Sequence, residues 1–178
     1  PVFQGRFTSP PSADDPEVIK SIVDIIFNPS LTWENLKTIK EHTKLPILLK
    51  GILHEEDARK ALLHGVDGII VSNHGGRQLD GCISSLEALP SVAEVIQGNI
   101  PVLLDSGIRR GSDVIKAKAL GADVVLLGRP FIYGLATAGE QGVEHVLRNM
   151  INDIDVTLAL SGCASMNEVN SSLIRRKK

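Results

Sequence analysis

From residue 45 onward the chain alternates short apolar runs with longer stretches whose apolar residues recur every three or four positions. The runs fall at 47–50, 68–72, 102–105 and 124–127, and the helix-spaced stretches at 55–64, 85–97 and 111–120. Runs this short, apolar at consecutive positions and stopped by a polar or glycine-rich turn, fit strands buried on both faces. Their interleaving with helices predicts a parallel sheet with helical crossovers. Helix ends agree with this frame. Gly65 and Gly121 stand where a helix terminates in a left-handed residue. The pattern helix, glycine, Val/Ala-Asp, strand occurs twice, as Gly65-Val66-Asp67-Gly68 and Gly121-Ala122-Asp123-Val124. An α/β barrel accounts for such a repeat.

The flanks are helical. Asp14, Asp15 and Pro16 look like a helix start, followed by Val18, Ile19, Ile22, Val23, Ile25 and Ile26 at helical spacing and a stop at Asn28-Pro29. A second helix is expected from Thr32 as N-cap with Asn35 at the third position. Its stripe of Trp33, Leu36 and Ile39 reads as core. After Arg129 a short helix over 131–137, a long one over 140–161 and a capped turn over 165–169 follow. Ser165 and Glu168 have capping-box spacing. Residues 1–30 are therefore read as a loop and connecting helix, and 31–178 as βα units with C-terminal helices.

Composition narrows the function. The chain has 178 residues, 43% of them hydrophobic and 22% charged, enough for one domain with a real core. No apolar run approaches the roughly 18 residues that span a membrane, and no secretory leader is visible, so a soluble, cytoplasmic protein is expected. A net charge of -2 gives no electrostatic case for nucleic acid. The basic ending at 175–178 reads as a solvated tail. Cys82 and Cys163 have neither metal-ligand nor redox-motif spacing, so no metal is expected. The chain starts at Pro1 and not Met, so something is expected to precede it or to have been removed.

Chemistry gathers where barrels keep it, at the C-terminal ends of the strands. Lys50 ends the first run, Ser72 and His74 the second, Asp105 the third, and Gly128 with Arg129 the fourth. A lysine after four apolar residues is costly unless paired, although it could also snorkel out of the barrel mouth. The stretch Asp105-Ser106-Gly107-Ile108-Arg109 and the pair Gly128-Arg129 together look like a phosphate site. Glycine frees backbone N–H groups there, a helix starts there, and arginine can neutralise a dianion. A lone loop histidine is more often structural than catalytic. His74, however, is followed at Arg77 by a planar fork suited to a carboxylate, with Gly75 and Gly76 between them giving close backbone access.

The segment Ser72-Asn73-His74-Gly75-Gly76-Arg77-Gln78 resembles the active-site signature of the FMN-dependent L-2-hydroxy acid oxidases, the family of glycolate oxidase and lactate oxidase. Asn28 to Trp33, Lys50 to His54 and Asp80 to Ile83 look closest to the lactate monooxygenase branch. The resemblance covers about 31–174 and implies a chain forming strands 5 to 8 of a (β/α)8 TIM barrel, completed by a missing N-terminal half, which we expect on a second chain. It implies FMN as cofactor, contacted by Lys50, Ser72, Asp105, Ser106, Gly107, Ile108, Arg109, Gly128 and Arg129. It further implies that Arg77 clamps the substrate carboxylate and that His74 takes a proton as a small 2-hydroxy acid, such as lactate, becomes the 2-keto acid, with O2 as an expected electron acceptor. A homo-oligomer, tetramer or octamer, is the family expectation. Ser106 departs from the glycine many members carry. Two other readings stand beside this one: another FMN barrel such as type 2 isopentenyl diphosphate isomerase, and a non-catalytic half-barrel. Both edges of a four-stranded open sheet would be left unprotected, and association would follow.

Overall fold

A computed structural model describes residues 15–26 and 29–175. The loop expected over 1–14, Asn28 and the tail residues 176–178 lie outside them. The elements run α1 (Pro16–Ile26), α2 (Asn35–His42), β1 (Leu48–Lys50), α3 (Glu55–Leu63), β2 (Gly68–Val71), α4 (Ser85–Ile96), β3 (Val102–Leu104), α5 (Gly111–Ala119), β4 (Val124–Val125) and α6 (Arg129–Leu160). The four strands form one parallel sheet in the order β1-β2-β3-β4.

Register gives the sheet two unlike faces. Ile69 pairs with Val102 and Val71 with Leu104, and these four side chains point at the helices with 3% exposure or less. They meet Ala58 and Ala61 of α3, Leu89, Val92 and Ile96 of α4, and Ala117 of α5 in one apolar cluster. Burying an aliphatic side chain this fully stabilises by about 2 kcal/mol each. The opposite face carries the row Lys50, Ile70, Leu103 and Val124. That row is more open, with Val124 46% exposed on its edge strand.

The two copies of the glycine-aspartate repeat do the same structural work. The Asp67 carboxylate accepts from Ile47 N at 2.7 Å, and Asp123 accepts from Val102 N at 2.9 Å. Each aspartate N–H returns a bond to the same residue's carbonyl, Asp67 to Ile47 and Asp123 to Val102, both at 2.8 Å. The repeat thus pins the start of the preceding strand from the start of the next. Gly65 and Gly121 adopt φ of +65° and +110°, as helix-terminating glycines should. α4 opens on a reciprocal cap: Ser84 Oγ accepts from Glu87 N and donates to Glu87 Oε2 at 2.7 Å.

Several boundaries differ from expectation. β4 has two residues instead of four, because an edge strand pairs on one side only and its ladder ends with β3. α2 begins at Asn35, not after Thr32. Asn35 Oδ1 instead accepts from the backbone N of Thr32 at 2.7 Å, closing a turn ahead of the helix. Ser165 makes no side-chain cap, and the Glu168 carboxylate bonds Ala164 N at 2.9 Å. α6 is continuous in outline but breaks where two helices are expected, at Ala138 and Gly139, whose φ/ψ are non-helical. The halves fold back so closely that Gly134 and Gly142 touch backbone to backbone, and a Cβ on either would collide with the other's carbonyl.

Candidate active site

At the C-terminal ends of the strands lies a cleft of about 340 Å³. Lys50, His74, Arg77, Asp105, Ser106, Gly107, Ile108, Arg109, Gly128 and Arg129 all line it, from four different βα turns. Ser72 stands behind them, fully buried. Every site residue expected from sequence is therefore at or beside one opening.

An ionic centre holds the floor. Lys50 Nζ donates to Ser72 Oγ at 2.8 Å and pairs with Asp105 Oδ2 at 2.9 Å. Ser106 Oγ donates to Asp105 Oδ1 at 2.8 Å. Burial pushes the Asp105 carboxyl up, but hydrogen bonds from Ser72, Lys50 and Ser106, together with the Lys50 charge, outweigh it and hold the pKa below the ordinary value. The lysine is thus paired, although it also reaches the cleft with its side chain 39% exposed.

The loop after β2 is held in an unusual shape. His74, Gly75 and Gly76 have φ of +55°, +68° and +70° in succession. A non-glycine residue in that region costs about 1 kcal/mol or more, so external bonds must impose it. They do. His74 N donates to Ser72 Oγ at 3.1 Å, Gly75 N to Asn73 Oδ1 and to Ser106 Oγ at 3.1 Å each, and Arg129 Nη2 to Gly75 O at 2.9 Å. Asn73 N is tied in turn to Ser85 Oγ at 3.0 Å, which anchors the loop to the first turn of α4. Ser85 escaped the sequence reading because a serine opening a helix reads as a cap and gives no hint of a long-range tie. Arg77 has no hydrogen bond or ion pair among the described residues and stands exposed at the cleft mouth.

At the expected phosphate site the two helix starts differ. The N–H groups of Arg109 and Arg110 donate to Asp113 Oδ2 at 3.0 and 3.1 Å, and Gly111 N donates to Asp153 Oδ2 at 2.6 Å. Carboxylates already occupy the start of α5, so that helix end is closed to a second anion. The start of α6 is different: Gly128 caps it without any side-chain bond, and Arg129 lies in its first turn. Gly107 and Gly128 line the cleft with nothing within 4 Å of where a Cβ would stand. Two glycines open to the cleft, an uncapped helix start and the guanidinium groups of Arg109 and Arg129 make a donor set that fits a flavin mononucleotide phosphate.

The model for FMN-dependent dehydrogenases matches residues 4–176. The chain belongs to the FMN-dependent dehydrogenase family. Within it, the chain is 54% identical over 166 residues to an L-lactate oxidase of Lysinibacillus sphaericus, covering 93% of this chain and 42% of that protein. It is 46% identical over 149 residues to 2-hydroxyacid oxidase 1 of Homo sapiens, covering 84% and 40%. A crystal structure of mandelate oxidase superposes with a TM-score of 0.75 at 47% identity, over 78% of this chain and 40% of that one. The chain thus spans about two fifths of the length of these relatives. No helix among the described residues is long and apolar enough to cross a membrane, and Cys82 and Cys163 are free thiols.

Proposed function

We propose that this chain carries the base, the carboxylate clamp and the phosphate cradle of an FMN-dependent enzyme that oxidises a small L-2-hydroxy acid, such as lactate, to the 2-keto acid. One observation carries the reading: His74, Arg77, Lys50 and the Gly128-Arg129 turn open onto a single cleft. The members of the family are redox enzymes, which favours oxidation over isomerisation.

Bound FMN would supply a two-electron acceptor at its ring. Arg77, without a hydrogen bond or ion pair among the described residues, would present its fork to the substrate carboxylate, which fixes the 2-carbon relative to the strand ends. His74 takes the proton of the 2-hydroxyl at an imidazole nitrogen as the C2–H bond breaks. Lys50 adds a fixed positive charge on the cleft floor, where it favours electron transfer into the site, while Asp105 and Ser72 keep it in place. Arg109, Arg129 and the start of α6 would hold the cofactor phosphate, with Gly107, Ile108 and Gly128 as its backbone bed.

The same reading makes the sheet one half of a (β/α)8 barrel, closed by an N-terminal half that lies outside residues 1–178. The open row Lys50, Ile70, Leu103 and Val124 and the two unpaired edge strands support it. O2 as acceptor and a homo-oligomer rest on the family resemblance, and a cytoplasmic setting on the two free cysteines.

An anaerobic titration of the purified protein with L-lactate and glycolate tests the reading. Substrate-dependent loss of flavin absorbance is expected, with pyruvate and hydrogen peroxide after air if it is an oxidase, or acetate and carbon dioxide if it is a monooxygenase. Flavin that no 2-hydroxy acid bleaches, or a protein that binds none, overturns it. Intact mass spectrometry of the same sample shows whether the remaining half is carried on the same polypeptide or on a second one.

A further inference from the structure

The sequence pattern places Ser106 among the cofactor contacts, but its bonds point elsewhere. Its hydroxyl donates to Asp105 Oδ1 at 2.8 Å and accepts from Gly75 N at 3.1 Å, so both of these partners belong to the protein. The Gly75 N–H belongs to the peptide that directly follows His74. On the other side of His74 the arrangement repeats: His74 N donates to Ser72 Oγ, which accepts from Lys50. Two serine hydroxyls therefore grip the amides on either side of the imidazole, and both are tied to the same Lys50–Asp105 pair. Ser106 adopts φ +75°, a conformation that glycine takes more easily. Its hydroxyl is what a glycine there would lack.

We propose that Ser106 is a positioning residue for His74: its hydroxyl, oriented by Asp105, fixes the Gly75 amide and thereby holds the left-handed run that aims the imidazole. The inference rests on the catalytic reading of His74 given above. It also predicts a linkage, because the Gly75 carbonyl is held by Arg129. Anything that draws Arg129 away leaves Ser106 and Asn73 as the remaining restraints on Gly75.

Ser106→Gly is the clean test, since it removes the hydroxyl and relaxes the backbone. Ser106→Ala, which keeps the Cβ, must behave the same way. Amide hydrogen exchange over residues 73–77 is followed in the purified protein, flavin-loaded and flavin-stripped. Both variants are expected to exchange about tenfold faster there, as loss of one partly buried hydrogen bond implies. With saturating FMN, kcat should fall about tenfold while KM for the 2-hydroxy acid and Kd for FMN stay within about threefold, because the hydroxyl's bonds run to Asp105 Oδ1 and Gly75 N. Unchanged exchange in the variants overturns the proposal. So does a loss of activity that extra FMN restores, which would make Ser106 a cofactor contact. The exchange measurement on stripped protein reads the clamp without turnover. Failure of the wild type to oxidise any 2-hydroxy acid therefore strikes the functional reading alone, and altered exchange in the variants still supports the clamp.

Discussion

His74 lies against Gly51: a Cβ placed on Gly51 would stand 2.8 Å from His74 Nε2. Gly51 also has φ +100°, so two independent constraints demand glycine directly after Lys50. The nearest obstacle is the tip of a side chain, so the ring, and not the backbone, gives way. Gly51→Ala should displace the imidazole and lower kcat at least tenfold with flavin still bound, at a stability cost of about 1 kcal/mol from the strained φ. Steady-state kinetics alongside flavin absorbance check this, and an alanine variant with wild-type kcat would show that the imidazole need not rest there.

Arg77→Lys separates substrate binding from folding. Arg77 has no protein partner among the described residues, so Tm should move by no more than about 1 °C. Lysine offers a point charge in place of a fork, and kcat/KM should drop by about 10- to 100-fold, chiefly through KM. A loss of thermal stability instead would assign Arg77 a structural bond.

Acid stability should carry the signature of Asp105. Its folded pKa lies below the ordinary 3.8, so the folded state favours the ionised form. Its contribution to stability is complete above the unfolded pKa and fades as pH falls from about 4 through the lower folded value. Asp105→Asn should therefore lose that part of the slope below pH 4. At neutral pH the cost should be modest, about 1 kcal/mol or less, because Lys50 is partly exposed and its charge is screened. Denaturant midpoints from pH 2 to 7 for both proteins decide it, and parallel curves would mean that Asp105 titrates normally.

The fold was legible to the extent that strand and helix are written in local periodicity. Short apolar runs gave the four strands, the doubled glycine-aspartate pattern gave their connections, and the gap between the helices expected over 131–137 and 140–161 falls at the break in α6. Candidate site residues were legible because barrels put them at or just past the C-terminal end of a strand, as with Lys50 at the end of β1 and Asp105 directly after β3. What stayed hidden depends on neighbours distant in sequence. Asp153 caps α5 from 42 residues away, which closed the helix start expected to hold phosphate. Ser85 ties down Asn73, and Ser106 faces Gly75 and not only the cleft. β4 ends early because only one of its sides has a partner, a fact about pairing that its apolar run cannot express.

Gly142→Ala probes the fold away from the cleft. Its Cβ would strike the Gly134 carbonyl, where backbone cannot yield cheaply. We expect a loss of about 2–4 kcal/mol or failure to fold, by the same logic as overpacking a core. Exposed Leu160→Ala on the same helix, by contrast, should cost about 0.5 kcal/mol or less. Urea denaturation of the two variants side by side makes the comparison, and equal midpoints would mean that the two halves of α6 can part without penalty.

Asp67 and Asp123 fasten the strands at the rim opposite the one where His74 and Arg77 stand. The tethers that keep the staves aligned thus share no atoms with the groups proposed to select a molecule. Turnover-side loops can be exchanged or lengthened without loosening the frame, so descendants of such a chain are free to change diet while inheriting the same skeleton.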